Sequence, residues 1–172
     1  MDAVSLSRPG LTRQGRRLEY FTIVSNSLEA IVSIVAGLFV GSISLLGFGL
    51  DSAIEVASGT ALLWRLHHDL DPARRNQVER STLRFVGACF IALALYIVYE
   101  SGSTLIRHEA PQPSIPGIII AAAAVFVMPK LARAKRRVAT GIGSGAMHAD
   151  SKQADFCAYL SAIVLGWAQP SL

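Results

Sequence analysis

Residues 41–59 read GSISLLGFGLDSAIEVASG, and the apolar run they open continues to Trp64 with two acids inside it, Asp51 and Glu55. The run is too long and too apolar for a strand, so it reads as a helix of about bilayer length. Residues four apart share a helix face, so both carboxyls point the same way. A carboxylate at bilayer depth is costly and marks a functional position by default. Side by side, each of the two holds a proton, or they share one, unless a cation sits between them. Oxygen ligands converging on one divalent ion at about 2.0–2.6 Å meet that demand.

Four more apolar runs flank this one: Phe21–Val40, Phe85–Ile106, a short one from Ile115 to Met128 closed by Pro129, and Ser144–Trp167. The expected fold is all-α, a polytopic membrane bundle of five transmembrane helices. Residues 1–20 form a basic cytoplasmic N-terminal segment, 21–168 the transmembrane domain and 169–172 a short tail. The first run is too long for the apolar region of a cleavable signal and stays as a span. Gly37, Gly41, Gly47, Gly49, Ser52 and Gly59 let the first two helices approach closely. Composition agrees: of 172 residues, 52% are hydrophobic and 16% charged, against about 25% charged in soluble domains. The shortfall argues against a soluble enzyme and rules out a disordered chain. Two cysteines cannot build a disulfide scaffold.

The net charge of +4 and pI near 9.4 would suit nucleic acid if the bases formed one patch. Instead they cluster in Arg8–Arg17, in Arg65–Arg84 and in Lys130–Arg137, on every second connection between runs. That is the positive-inside pattern. It predicts an integral protein of the plasma (inner) membrane with its N-terminus in the cytoplasm and no nucleic-acid partner.

The fifth run opens with GAMHADSKQADF. His148, Ser151 and Asp155 fall on one stripe, at offsets of three and seven. Asp150 lies about 140° round a regular helix from Asp155 and joins it only through an unwound or bulged turn. Asp155, Asp150, Ser151 and His148 are therefore candidate metal ligands beside Asp51 and Glu55, and Lys152 is the nearest base within the spans. In the first run Asn26 and Glu29 share a face: Asn26 is set to bond across helices, and Glu29 to relay protons or support a ligand. The connection RLHHDLD (Arg65–Asp71) carries metal-ligand chemistry in His67, His68, Asp69 and Asp71. Cys89 and Cys157 read as small buried hydrophobes. Three carboxylates lean toward manganese or iron(II), and an imidazole would lean toward zinc or cobalt.

The stretch GSISLLGFGLDSAIEVASG resembles the second-span region of the cation diffusion facilitator, or cation efflux, family of divalent metal transporters. KLARAKRRVAT resembles the basic connection that precedes that family's fifth span. The resemblance covers roughly residues 20–168. It implies export of a divalent transition metal from the cytoplasm, zinc first, by exchange for protons, in a homodimer. It also implies a four-ligand site between the second and fifth helices, with Asp51 and Glu55 as the second-helix pair and Asp155 as the last fifth-helix ligand. The His or Asp usual four residues before that ligand is Ser151 here. The family's sixth helix and C-terminal cytoplasmic domain have no counterpart in these residues, so a non-transporting subunit or a remnant is the alternative. No organic cofactor is expected and no enzymatic activity. An intramembrane aspartyl protease fits poorly, because Asp51 and Glu55 share one helix. The partners expected are lipid, a divalent cation, protons and a second copy of the chain.

Overall fold

The computed structural model describes residues 7–40, 43–107 and 115–167. They form five α-helices: α1 (Arg8–Val40), α2 (Ile43–His67), α3 (Pro72–Arg107), α4 (Ile115–Ile142) and α5 (Gly145–Trp167). Among the described residues there is no strand. The protein is an all-α membrane bundle. Helices α1, α2 and α3 are each long and apolar enough to cross a bilayer. Large side chains such as Phe21, Leu28, Phe39, Ile91, Leu95, Phe126 and Tyr159 face outward.

Helix α1 is polar inside and apolar outside. Thr12, Glu19, Asn26 and Ser33, seven residues apart in turn, are all buried. Tyr20, Phe21, Val24, Leu28, Ile31, Val35 and Leu38 are exposed on its other faces. The heptad spacing keeps the polar stripe on one face for the whole helix. Helix α2 packs closely along it. A Cβ added at Gly49 would stand 2.5 Å from Ile34 Cγ1 and 3.2 Å from the Ala30 carbonyl oxygen, so a side chain there would push the two helices apart.

The helix ends are encoded locally. Asp71 caps α3: its Oδ1 accepts from the Ala73 amide at 3.0 Å, and Pro72 takes the first helical position, where no amide is needed. Helix α3 therefore starts well before the apolar run at Phe85. Helix α1 likewise starts at Arg8, inside the basic segment. Helix α4 ends at Gly143, whose φ of 65° closes it. The Ser144 amide donates to Ala139 O at 2.9 Å and the Gly143 amide to Thr140 O at 3.4 Å, a left-handed stop that glycine adopts without strain. Ser144 then caps α5, its Oγ accepting from the Met147 amide at 3.1 Å.

Pro129 does not close the fourth helix; α4 runs on through it to Ile142. An interior proline costs about 3 kcal/mol. That cost is met because the turns beyond it bury Leu131, Ala132, Val138, Ala139 and Ile142 in the core. Leu62, Leu66, Val86, Val138, Ala139, Ile142, Ala146 and Met147 form an apolar cluster toward the end of the bundle where the basic residues lie. A second cluster along the α4–α5 seam contains Ala124, Met128, Leu131, Ala132, Ala154 and Cys157.

Beyond the first cluster, a polar knot ties the basic end. Asp69 pairs with Arg8 at 3.0 Å and Arg65 at 2.8 Å and accepts from Thr12 Oγ1 at 2.9 Å. Arg65 also pairs with Glu79 at 2.5 Å. Glu79 in turn accepts from Ser144 Oγ at 3.0 Å and from the Ala146 amide at 2.7 Å at the start of α5. Burial pushes the Asp69 carboxyl up, but hydrogen bonds from Arg8 and Thr12 and the Arg65 charge outweigh it and hold the carboxyl below the usual range. Asp69→Asn should cost about 3 kcal/mol in thermal unfolding in detergent, because Arg65 loses a buried counter-charge. The folded pKa lies below the unfolded value of about 3.9. The contribution is therefore complete above about pH 4 and lost as pH falls further, through the folded value. The gap between wild type and Asp69→Asn should stay level from about pH 5 to 8 and close below about pH 4; a gap that already narrows at pH 6 contradicts this account.

Candidate metal centre

Helices α2 and α5 turn their polar stripes toward each other and toward α1. On α2 the inward positions include Ser52, Glu55 and Ser58; on α5 they include Asp150, Ser151, Gln153, Ala154, Cys157 and Ser161. Asp51 and Glu55, one turn apart on α2, meet Cys157 of α5. One ligand atom from each lies within 4.8 Å of the other two. Asn26 of α1 donates a short hydrogen bond from Nδ2 to Glu55 Oε2. Glu29 of α1 lies near enough to Asp51 and Ser52 of α2 for both to act on its carboxyl. Asn26 and Glu29 thus support the two α2 acids from behind.

The hydrogen bonds that are missing say more than those present. Asn26 Oδ1, Asp51 Oδ1, Glu55 Oε1 and both polar atoms of Gln153 are buried without a partner among the described residues. Each such group costs about 1–3 kcal/mol, and native structures seldom leave several in one place. Four of these five atoms are oxygens, which only accept, apart from the Gln153 nitrogen. A cluster of unsatisfied acceptors beside a thiol is what a bound cation would satisfy. Gln153 precedes Cys157 by four residues, the same spacing as Asp51 to Glu55, so each helix offers two groups from one face.

The sequence candidates fall in different places. Asp51 and Glu55 come together. Asp155 lies elsewhere: it is half-buried and accepts from Arg136 of α4 at 2.6 and 3.2 Å. Two residues from Cys157, it sits about 160° round α5, beside the exposed Phe156 and Tyr159. Asp150 is buried but pairs with Lys135 at 2.5 Å and accepts from Ser58 Oγ at 2.9 Å. Ser151 is buried and donates to the His148 carbonyl at 2.6 Å, and the His148 ring is exposed. Lys152 is exposed; the buried lysine is Lys135. In the connection after α2 the candidates have separate partners. His67 Nδ1 bonds Leu63 O and His68 Nδ1 bonds Trp64 O, Asp69 lies in the polar knot and Asp71 caps α3.

Cys157 and Gln153 are the groups that a search for carboxylates and imidazoles passes over. The signal for them was the lipid-facing stripe. Phe156, Tyr159 and Ile163 recur at helical spacing and are exposed; the side opposite them holds Asp150, Gln153, Ala154, Cys157 and Ser161.

The model of the cation efflux transmembrane domain matches residues 20–169. The chain belongs to the cation efflux family. Members of this family carry divalent metal cations as substrate, so this cation efflux domain is an integral membrane protein for metal cation transport. Neither a curated protein nor a solved structure matches the chain.

Cadmium added to the purified protein should give a thiolate-to-metal ultraviolet absorption that Cys157→Ser abolishes. Cys89→Ser and Asp155→Asn should leave it in place, since Cys89 lies on α3 and Asp155 is held by Arg136. Retention of the band in Cys157→Ser with its loss in Cys89→Ser would take the thiolate off α5 and contradict this centre.

Proposed function

We propose that this cation efflux chain exports a divalent transition metal, zinc first, from the cytoplasm in exchange for protons, and catalyses no covalent reaction. The observation that carries this reading is the convergence of Asp51, Glu55 and Cys157 within 4.8 Å. Gln153 supplies the fourth group through its amide oxygen. Zinc takes four ligands in a tetrahedron, and sulfur, nitrogen and oxygen all serve. The thiol alters the metal preference. Two carboxylates alone would suit manganese or iron(II); a thiolate beside them favours zinc, cobalt or cadmium.

Proton exchange follows from the ligands themselves. The thiol and both carboxyls must be deprotonated to hold the metal, and each is free to take a proton when the metal leaves. A centre that opens alternately to the two sides therefore trades metal for protons. The direction is read from charge. Arg13, Arg17, Arg74, Arg80, Arg84, Arg133 and Arg137 are exposed and belong to the connections that the positive-inside rule assigns to the cytoplasm. The homodimer and the plasma-membrane location rest on the family resemblance.

The test is zinc flux into proteoliposomes holding the full chain, with and without a pH gradient. Wild-type flux should follow the gradient. Asp51→Asn and Glu55→Gln should each cut it by about 100-fold or more, since loss of a supporting group alone costs 10- to 100-fold. Flux that ignores the gradient would remove proton exchange, and flux that survives both substitutions would remove the centre.

A further inference from the structure

A second set of ionisable groups lies between the metal centre and the basic end. Lys135 of α4 is 1% exposed. Its Nζ donates to Asp150 Oδ2 of α5 at 2.5 Å and to Glu19 Oε2 of α1 at 3.2 Å. Ser58 of α2 donates to Asp150 Oδ1 at 2.9 Å. Four helices thus meet in one polar layer that holds two carboxylates and one ammonium. Glu19 is 0% exposed, and its Oε1 has no hydrogen-bond partner among the described residues.

The layer adjoins the metal centre. A cavity of about 10 Å³ is lined by Thr22, Glu55, Lys135, Asp150 and Gln153, among others. That is roughly the room one water or one bare ion needs. Gln153 is 2% exposed, faces this cavity and has no partner at either end of its amide. Along α2 Ser58 stands three residues from Glu55, so the layer lies about 4.5 Å, just under one turn, toward the basic end.

Stability does not account for this layer. Desolvating a buried ion pair costs about as much as the attraction returns, and well-packed apolar side chains would join the helices as well or better. Two buried carboxylates closed round one positive charge are, in chemical terms, a cation cage with an ammonium in it. The ammonium sits on a flexible four-carbon stem, so it can withdraw without the helix moving. A divalent ion brings twice the charge to the same oxygens.

We propose that Glu19 and Asp150 form a loading site for the transported divalent cation, one turn to the basic side of Asp51, Glu55 and Cys157, and that the Lys135 ammonium fills it until the ion displaces it. This rests on the transporter reading above. With oxygen donors only, the loading site accepts divalent ions broadly. The inner centre, with its thiol, selects among them. The route from the basic end is shut while Lys135 is in place, and an arriving ion opens it by taking over the lysine's partners.

The experiment counts cadmium bound per chain, by equilibrium dialysis of the purified full chain in detergent. At the lowest cadmium concentration that fills the inner centre of the wild type, with Lys135 still in place, Lys135→Met should bind one ion more than wild type. The extra ion should persist in Lys135→Met/Asp51→Asn and vanish in Lys135→Met/Asp150→Asn. A folded Lys135→Met that binds no more than wild type at that concentration overturns the proposal, as does an extra ion that survives Asp150→Asn. The two readings fail separately. An extra ion in Lys135→Met with none in wild type would keep the loading site and remove the inner centre, and the reverse would do the opposite. A second measurement needs no variant. Acylation of Lys135 by a water-soluble reagent, read by mass spectrometry, should rise severalfold at higher cadmium concentrations, where the wild-type protein takes its second ion, while the exposed Lys130 and Lys152 stay unchanged. Unchanged labelling of Lys135 under those conditions overturns displacement, whether or not Lys135→Met folds.

Discussion

A charged or hydrogen-bonding side chain inside this bundle has to be answered by another side chain. Lipid cannot do it, and the apolar clusters cannot. In a membrane, apolar packing gives little preference for one helix rotation over another, because lipid is as apolar as leucine. The polar stripes supply that preference. Thr12, Glu19, Asn26 and Ser33 fix which side of α1 faces in. Asn26 then finds Glu55 on α2 and Glu19 finds Lys135 on α4, while Lys135 finds Asp150 on α5. Turning any one of these helices by a third of a circle would strand several buried polar groups at once.

The same rule distinguishes three levels along the bundle by how completely their charges are answered. In the knot of Arg8, Arg65, Asp69 and Glu79, every acid meets an arginine, and Glu79 also receives the start of α5. Arginine keeps its charge and its planar fork suits a permanent joint. One level in, a single lysine serves two carboxylates. At the deepest level Asp51 and Glu55 have Asn26 and Ser52 nearby but, among the described residues, no base in ion-pair contact. The positive charge supplied by the protein thus falls from the basic end toward the centre, and the unsatisfied acceptors rise in step. A mobile cation would restore the balance, which is why the proposed metal centre is placed at the deepest level rather than in the knot.

Much of this was legible in the residues. The five apolar runs became five helices, and the spacing of Asp51 and Glu55 put both on one inward face. Other features depended on rotation and depth, which composition does not carry. His148, Ser151 and Asp155 do form a regular stripe, but so do Asp150, Gln153 or Ala154, Cys157 and Ser161. Which of the two faces inward is decided by where Phe156 and Tyr159 meet lipid. Lys135 belongs by sequence to a basic cluster that reads as a cytoplasmic connection. Only the continuation of α4 through Pro129 carries it into the bundle. Proline's local cost argues for a stop there, and burial of Leu131, Ala132 and Val138 overrides it.

The central claim is that α2 and α5 together hold a metal through two carboxylates and one thiol. X-ray absorption spectroscopy of the zinc-loaded full chain reads that ligand set directly. The account predicts one sulfur at about 2.3 Å with the remaining ligands oxygen or nitrogen at about 2.0–2.2 Å. A shell made only of oxygen and nitrogen would contradict it, and would return the fifth-helix ligands to Asp155 or His148.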